Sequence, residues 1–279
     1  MQNKFVVLQQ MDEQFIISLI TKFQSLNLSA IIDFDKFNRY AITHHSTTIE
    51  GSTLTENETR LLLDEGITPA GKPLLHSLMV QDHYNALLFV IEKSKIKVEI
   101  TPTFIQAVNA VVMKQTGSIY QTVFGELNAT TGVFRKGNVS AGSTYFVGYQ
   151  KVDGLVTQLC DGINKKLSSA STIPEKLNCC FDAHFDLVTI HPFYDGNGRT
   201  SRLLMNYLQF YFNLPPGIVF KEDKASYFET LQQTRKQEDI SIFRHFMFKQ
   251  YAKYLQQEID KFEQAEKGGM KGKGYSFVF

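Results

Sequence analysis

Two things are nearly absent from this 279-residue chain: net charge and cysteine. Lysine and arginine number 29 against 28 aspartates and glutamates, a formal +1. No overall field therefore draws the molecule to nucleic acid or to a membrane surface, and any phosphate site must be built locally. Cys160, Cys179 and Cys180 are too few and too clustered for a disulfide framework, and adjacent cysteines are not a metal-ligand spacing. They read as small buried apolar side chains in a protein of a reducing compartment. Long apolar runs are missing too. The longest, Ala86 to Ile91, falls far short of the roughly 18 residues of a membrane span. The apolar run near the N-terminus is too short for a signal-peptide core. No internal repeat is visible, and no Gly-Lys-Ser/Thr follows a glycine-rich loop as a Walker phosphate site requires. The expectation is a cytoplasmic protein with neither membrane nor nucleic-acid partner.

What is present is a globular mix, 43% hydrophobic and 20% charged, with helical punctuation. Phe34, Phe37 and Ala41 lie at helical spacing over 33–50, and Gly51 stands at a C-cap position. Thr55 to Glu58 reads as a capping box opening a short helix that Gly66 stops. An amphipathic helix follows over 73–93, and Thr101-Pro102 supplies an N-cap and an N1 proline for the next. Helices resume at Val152, at Pro174, at Arg199 to Phe212, over 224–236 and over 239–264, with Pro215-Pro216-Gly217 as a break. Only 132–149 reads as strand: Val133, Phe134 and Val139, then Thr144 to Val147, flank Ala141-Gly142-Ser143. The pattern predicts an all-α fold, a helical bundle with one inserted β-hairpin. The Gly- and Lys-rich end, 267–279, reads as a flexible tail.

Between two of these helices stands His191-Pro192-Phe193-Tyr194-Asp195-Gly196-Asn197-Gly198-Arg199-Thr200-Ser201-Arg202. Pro192 disfavours helix at His191, so the imidazole sits at a helix exit. Gly-Asn-Gly can turn successive N–H groups toward one point, an anion nest, and the helix that starts at once adds its free N–H groups and positive dipole end. Arg199, Arg202 and Asn206 fall on one face of that helix. Asp195 stands where a divalent cation such as Mg²⁺ could bridge it to phosphate oxygens, which makes the ligand a polyphosphate. His191 can take a proton near neutral pH from an attacking hydroxyl.

These residues resemble the Fic domain motif, His-x-Phe-x-Asp/Glu-Gly-Asn-Gly-Arg-x-x-Arg, and match it at every fixed position. The resemblance implies a Fic fold and AMP transfer from ATP to a Ser, Thr or Tyr hydroxyl of a target protein, with pyrophosphate leaving. It implies His191 as the base, Asp195 as the Mg²⁺ ligand and Asn197 as an α-phosphate anchor. Gly196 and Gly198 would be N–H donors, Arg199 and Arg202 would hold the β- and γ-phosphates, and Phe193 would be a core plug. Gly132 to Val139 is similar to the family's flap, Gly-x-x-Arg-x-x-x-Val, in which Gly132, Arg135 and Val139 would hold the target by strand addition. The implied layout is an N-terminal helical region over 1–95 and a core over 96–266 carrying the flap 132–149 and the loop 191–202.

Ser46 to Gly51 is similar to the family's inhibitory pattern, Ser/Thr-x-x-x-Glu-Gly/Asn. Ser46 and Glu50 are four apart and share a helix face. The resemblance implies that Glu50 pairs with Arg202 and keeps ATP from seating its γ-phosphate. Two other functions use the same pocket: a hydrolase that removes AMP with Glu50 positioning water, or an ATP-binding sensor or scaffold that transfers nothing. The C-terminal helix over 239–264 could serve homo-oligomer contacts. Plainer readings stand beside several residues. His184 fits a core histidine, His44 and His45 structural or solvent-facing ones, and Tyr227 core packing. Asn206 could fill a packing gap instead of contacting nucleotide, and Arg135 and Lys136 could be solvated strand charges.

Overall fold

The computed structural model describes residues 2–26, 34–122, 124–142 and 144–267. In chain order the helices are α1 (Gln2–Ser25), α2 (Phe34–Ile49), α3 (Glu56–Glu65), α4 (Leu74–Lys95) and α5 (Pro102–Val112). Two antiparallel hairpins follow, β1 (Ile119–Thr122) with β2 (Gly125–Asn128) and β3 (Ser140–Ala141) with β4 (Thr144–Tyr145). Then come α6 (Val152–Ser169), α7 (Ile173–Ile190), α8 (Asn197–Tyr211), α9 (Lys224–Gln237) and α10 (Ile240–Lys267). The expected tail falls, beyond Lys267, outside the described residues.

Local chemistry sets most boundaries. Thr55 accepts from the Glu58 N–H while the Glu58 carboxylate accepts from the Thr55 N–H, and left-handed Gly66 closes α3. Thr172 and Glu175 repeat the box at the start of α7, where Pro174 sits within the first turn. Thr101 caps α5.

Helices α7 and α8 lie at the centre, sandwiched by α4, α5, α6 and α10. Their buried faces carry Leu177, Phe181, Leu187, Leu203, Leu204 and Leu208 in the main apolar cluster. Each such side chain removed from water contributes roughly 1.5–3 kcal/mol, so the turn joining α7 to α8 hangs from two firmly held rods. Cys160, Cys179 and Cys180 are free and buried in this interior. Among the described residues, no helix is long and apolar enough to cross a membrane.

The hairpins depart from the sequence reading twice. A hairpin over 119–128 was not anticipated, because its strands are only four residues each and bury only Leu127. The flap hairpin is shorter than predicted: Ser140 and Ala141 pair with Tyr145 and Thr144, and the described residues of 132–139 contain no strand. Instead the Arg135 N–H donates to the Pro192 carbonyl at 2.9 Å, drawing that stretch onto the α7–α8 turn.

Candidate active site

Helix α7 ends where Pro192 dictates. His191 takes a left-handed conformation, φ 53° and ψ 59°, and its N–H closes on the Leu187 carbonyl at 3.0 Å. Gly196, φ 78°, then caps α8. Any other residue there would be strained, and a β-carbon would stand 2.8 Å from both Asn109 Nδ2 and Met113 Sδ on the α5 side. Asn109, buried on α5, donates to the Asp195 carbonyl at 3.2 Å and to Thr200 Oγ1 at 3.1 Å, pinning both ends of the nest. Phe193 is buried against Phe134, ring centroids 5.4 Å apart.

The Asn197 side chain is an internal brace: Oδ1 accepts from the Phe193 N–H and Nδ2 donates to the Phe193 carbonyl, both at 2.9 Å. Its carboxamide is thus committed to the loop, which leaves the Asn197 backbone N–H at the start of α8 as the group facing a phosphate. Asn206 takes the packing role that the sequence also allowed. Two turns along α8, its Nδ2 donates to Gln209 Oε1 at 3.0 Å and to the Gly217 carbonyl at 2.9 Å. It braces the Pro215-Pro216-Gly217 break, away from the nest.

The arginines remain at the nest. Arg199 is buried, its Nη2 3.4 Å from Asp195 Oδ1 and 3.3 Å from Met113 Sδ, while Nε and Nη1 have no hydrogen-bond partner. Arg202 is buried too and is gripped by α2: Nε donates to Ser46 Oγ at 2.9 Å, and Nη2 donates to the Ser46 carbonyl at 3.0 Å and to Glu50 Oε1 at 2.6 Å. The Glu50 side chain is 29% exposed, reaching from the end of α2 over Gly198, where a β-carbon would collide with its carboxylate. Burial raises the Glu50 carboxyl pKa, but the charges of Arg202, Arg199 and Lys224 outweigh it and hold the group below its usual value. The ion pair is thus formed at neutral pH. Gly51, with φ 104°, turns the chain away immediately after.

His191 is half-buried and faces three charged groups: Arg135, Arg235 and Glu50. Burial, then the two arginines, push its pKa down to about 4 against the opposing pull of the Val188 carbonyl and Glu50. Nδ1 lies 3.4 Å from the Val188 carbonyl, which favours the tautomer protonated there and leaves Nε2 as a base. Asp195 is the most exposed member, and its Oδ1 accepts from the Gly196 N–H at 2.5 Å. Among the described residues no group of three or more carboxylates, histidines or cysteines could hold a metal ion. One carboxylate still fits Mg²⁺ in its usual nucleotide-bound form, with phosphate oxygens and water completing the shell.

The flap residues sort differently from expectation. Arg135 is 2% exposed. Its Nε donates to the His191 carbonyl at 2.8 Å, Nη1 to the Gly137 carbonyl at 2.8 Å and Nη2 to the Val147 carbonyl at 2.6 Å. It is neither a solvated strand charge nor a side chain presented to a target; it ties the flap base to the loop. Gly132, φ 68°, packs so closely on α5 that a β-carbon would overlap the Gln106 carbonyl. Val139 is half-buried and accepts from the Phe146 N–H at 3.3 Å.

Phe146, Arg235 and His83 at the site gave no functional sequence signal. Phe146 stacks on His191, and Arg235 on α9 lies over Phe146. Tyr227 is buried beside Arg202 and bonds His184 Nε2 at 2.8 Å, so both are core residues that back an arginine. His83 on α4 is buried with neither ring nitrogen partnered, and burial followed by Arg202 and Arg199 pushes its pKa well down. His44 and His45 are buried, not solvent-facing: His44 Nε2 is 3.0 Å from Lys221 Nζ, and His45 Nδ1 accepts from the Lys221 N–H.

With this geometry in hand, known proteins supply a comparison. A family model described as Fic/DOC family matches residues 99–209. The protein adenylyltransferases Fic of Drosophila willistoni and Drosophila melanogaster are each 30% identical over 247 residues, 86% of this chain. The chain spans about half the length of these relatives, 47% in both cases. A Fic-domain-containing signalling protein from Bacteroides thetaiotaomicron superposes with a TM-score of 0.76 at 23% identity, covering 90% of this chain and 97% of that one. Fic-1 of C. elegans superposes with 0.74 at 23% identity, over 96% and 76%. The helical bundle with its small hairpins is the Fic fold.

Proposed function

The chain carries a Fic domain of the Fic/DOC family, and from that premise we propose that it is a protein adenylyltransferase held in check by its own helix α2. The observation that carries this reading is the convergence, around one turn, of a neutral imidazole, a glycine-built nest and two buried arginines, one of them gripped by Glu50. A triphosphate in the nest would meet the α8 N-terminus and Arg199, whose unpartnered Nε and Nη1 are donors suited to phosphate oxygens. His191 Nε2 takes the proton of the target hydroxyl. The hydroxyl oxygen bonds the α-phosphorus, and the bond to pyrophosphate breaks. Asp195 would hold Mg²⁺, whose charge neutralises the phosphates when it is bound. The target is a protein presenting Ser, Thr or Tyr, lying along the flap.

Glu50 sets the resting state. With Ser46 and the Glu50 carboxylate on Nε and Nη2, the Arg202 guanidinium is held by α2 and offers a γ-phosphate Nη1 alone, beside the Glu50 charge. If this pairing favours the inhibited arrangement about 100-fold, the difference is roughly 2.7 kcal/mol, a size that one partly buried charged pair can supply. The test is transfer of label from α-labelled ATP with Mg²⁺ to the protein itself or to lysate proteins. Glu50→Gly is expected to raise transfer on the order of 100-fold, and adding His191→Ala to lower it by about three orders of magnitude. No rise on Glu50→Gly overturns the inhibitory role, and transfer undiminished by His191→Ala overturns the base. Release of AMP from a modified target by the wild type, lost in Glu50→Gly, would mark the hydrolase instead. Binding of ATP with no transfer in any variant would mark the sensor.

A further inference from the structure

The flap contributes more to the site than a backbone edge. The Phe146 and His191 rings lie nearly parallel, centroids 3.7 Å apart at 12°. On the Phe146 ring sits the Arg235 guanidinium, 5.7 Å from its centroid, and Arg235 Nε donates to Thr189 Oγ1 at 3.1 Å, two residues before His191. The backbones are tied as well. One guanidinium, Arg135, holds both the His191 carbonyl and the carbonyl of Val147, the residue after Phe146. Tyr145 on the preceding position points outward, 86% exposed, so the flap turns one aromatic ring to solvent and the next onto the imidazole.

We propose that Phe146, backed by Arg235, is a positioning residue that orients the His191 imidazole, so that flap order and a competent base form together. This rests on the reading of His191 as the general base. Stacking covers a ring face, whereas the Nε2 lone pair lies in the ring plane, so the contact fixes the imidazole's direction without occupying its reacting edge. With Nδ1 at the Val188 carbonyl, the stack leaves the ring one orientation. The same cover removes water from the imidazole and keeps it neutral. A target strand that orders the flap would thereby also align the base, with no additional contact to the phosphates.

Two readouts test this. In the Glu50→Gly background, Phe146→Ala is expected to lower kcat for transfer about tenfold while KM for ATP stays within twofold, and Phe146→Tyr to restore most of kcat. In otherwise wild-type protein, NMR of the His191 ring is expected to show upfield-shifted ring protons and titration near 4. Phe146→Ala should move the shifts downfield and the titration toward the usual 6.5. Arg235→Gln should move both in the same direction, less far. Unchanged kcat together with unchanged His191 shifts and titration in Phe146→Ala overturns the proposal, as does a loss confined to KM. If Phe146→Ala does not fold, Phe146→Leu keeps the apolar bulk without the ring and decides in the same way. A Glu50→Gly protein without transfer would refute the adenylyltransferase reading, while the NMR readout would still judge the stack.

Discussion

The turn 191–197 is tied back into the protein through Asn197 and Asn109, whereas the flap 132–149 is tied at its base and open at its tip. Asn197 braces Phe193 with two hydrogen bonds, and Asn109 holds Asp195 and Thr200 from α5. The flap, by contrast, hangs from Arg135 and Phe146, and beyond them it has two-residue strands and an exposed Tyr145. The contrast suits two kinds of ligand. A phosphate group demands donors already in place, because reorganising them during reaction costs rate. A peptide strand brings its own backbone donors and acceptors, so the edge that receives it can remain loose until it arrives.

The comparison can be broken or sharpened by substitution. The largest effect is expected on the loop side. His191→Ala in the Glu50→Gly background should reduce transfer by about three orders of magnitude, within the range for loss of a positioned base. Because the folded His191 pKa is depressed to about 4, the base is already neutral at pH 7. Transfer by Glu50→Gly should therefore be flat from pH 8 to pH 6 and fall only as pH approaches that value. Glu50 raises the His191 pKa, so its removal shifts the limb further down; a limb centred near 6.5 would contradict the buried setting.

Next in size is the flap anchor. Arg135→Ala leaves three carbonyls without their donor in a buried place and should cost about 2–3 kcal/mol in urea unfolding. If it costs nothing, the flap base is not held as described. Smaller again, Asn206→Ala should lose about 1–2 kcal/mol of stability while ATP affinity by calorimetry stays within twofold; a tenfold loss of affinity would return Asn206 to the nucleotide. The smallest change belongs to the open tip. Tyr145→Ala should alter stability by less than about 0.5 kcal/mol, and a larger loss would mean the tip is not the loose partner.

Much of this arrangement was legible in the chain because it is encoded locally. The capping box at Thr55, Pro174 at the start of α7, the glycine stops and the Pro192 exit each depend on a few neighbours, and the helices they predict are there within a residue or two. Ser46 and Glu50 had to share a face of α2, since four residues of helix place them there. The hairpin over 119–128 was not legible because its four-residue strands are mostly exposed, with only Leu127 buried. The 132–139 strand was overread for the converse reason: β-prone residues were present, but the buried Arg135 and its N–H bond to Pro192 drew the chain elsewhere.

The sequence by itself determined the helices, the nest and the residue types facing it, because each follows from short-range sterics, hydrogen bonding and periodicity. Only the tertiary structure decided which polar side chains are braces and which remain available. Arg202 meets Ser46 and Glu50 across 156 and 152 positions of chain, and Arg135 reaches His191 across 56. No local rule sets such distances; the packing of α2, α5 and the flap against α7 and α8 does. That packing laid Phe146 on the imidazole and left two nitrogens of Arg199 without partners.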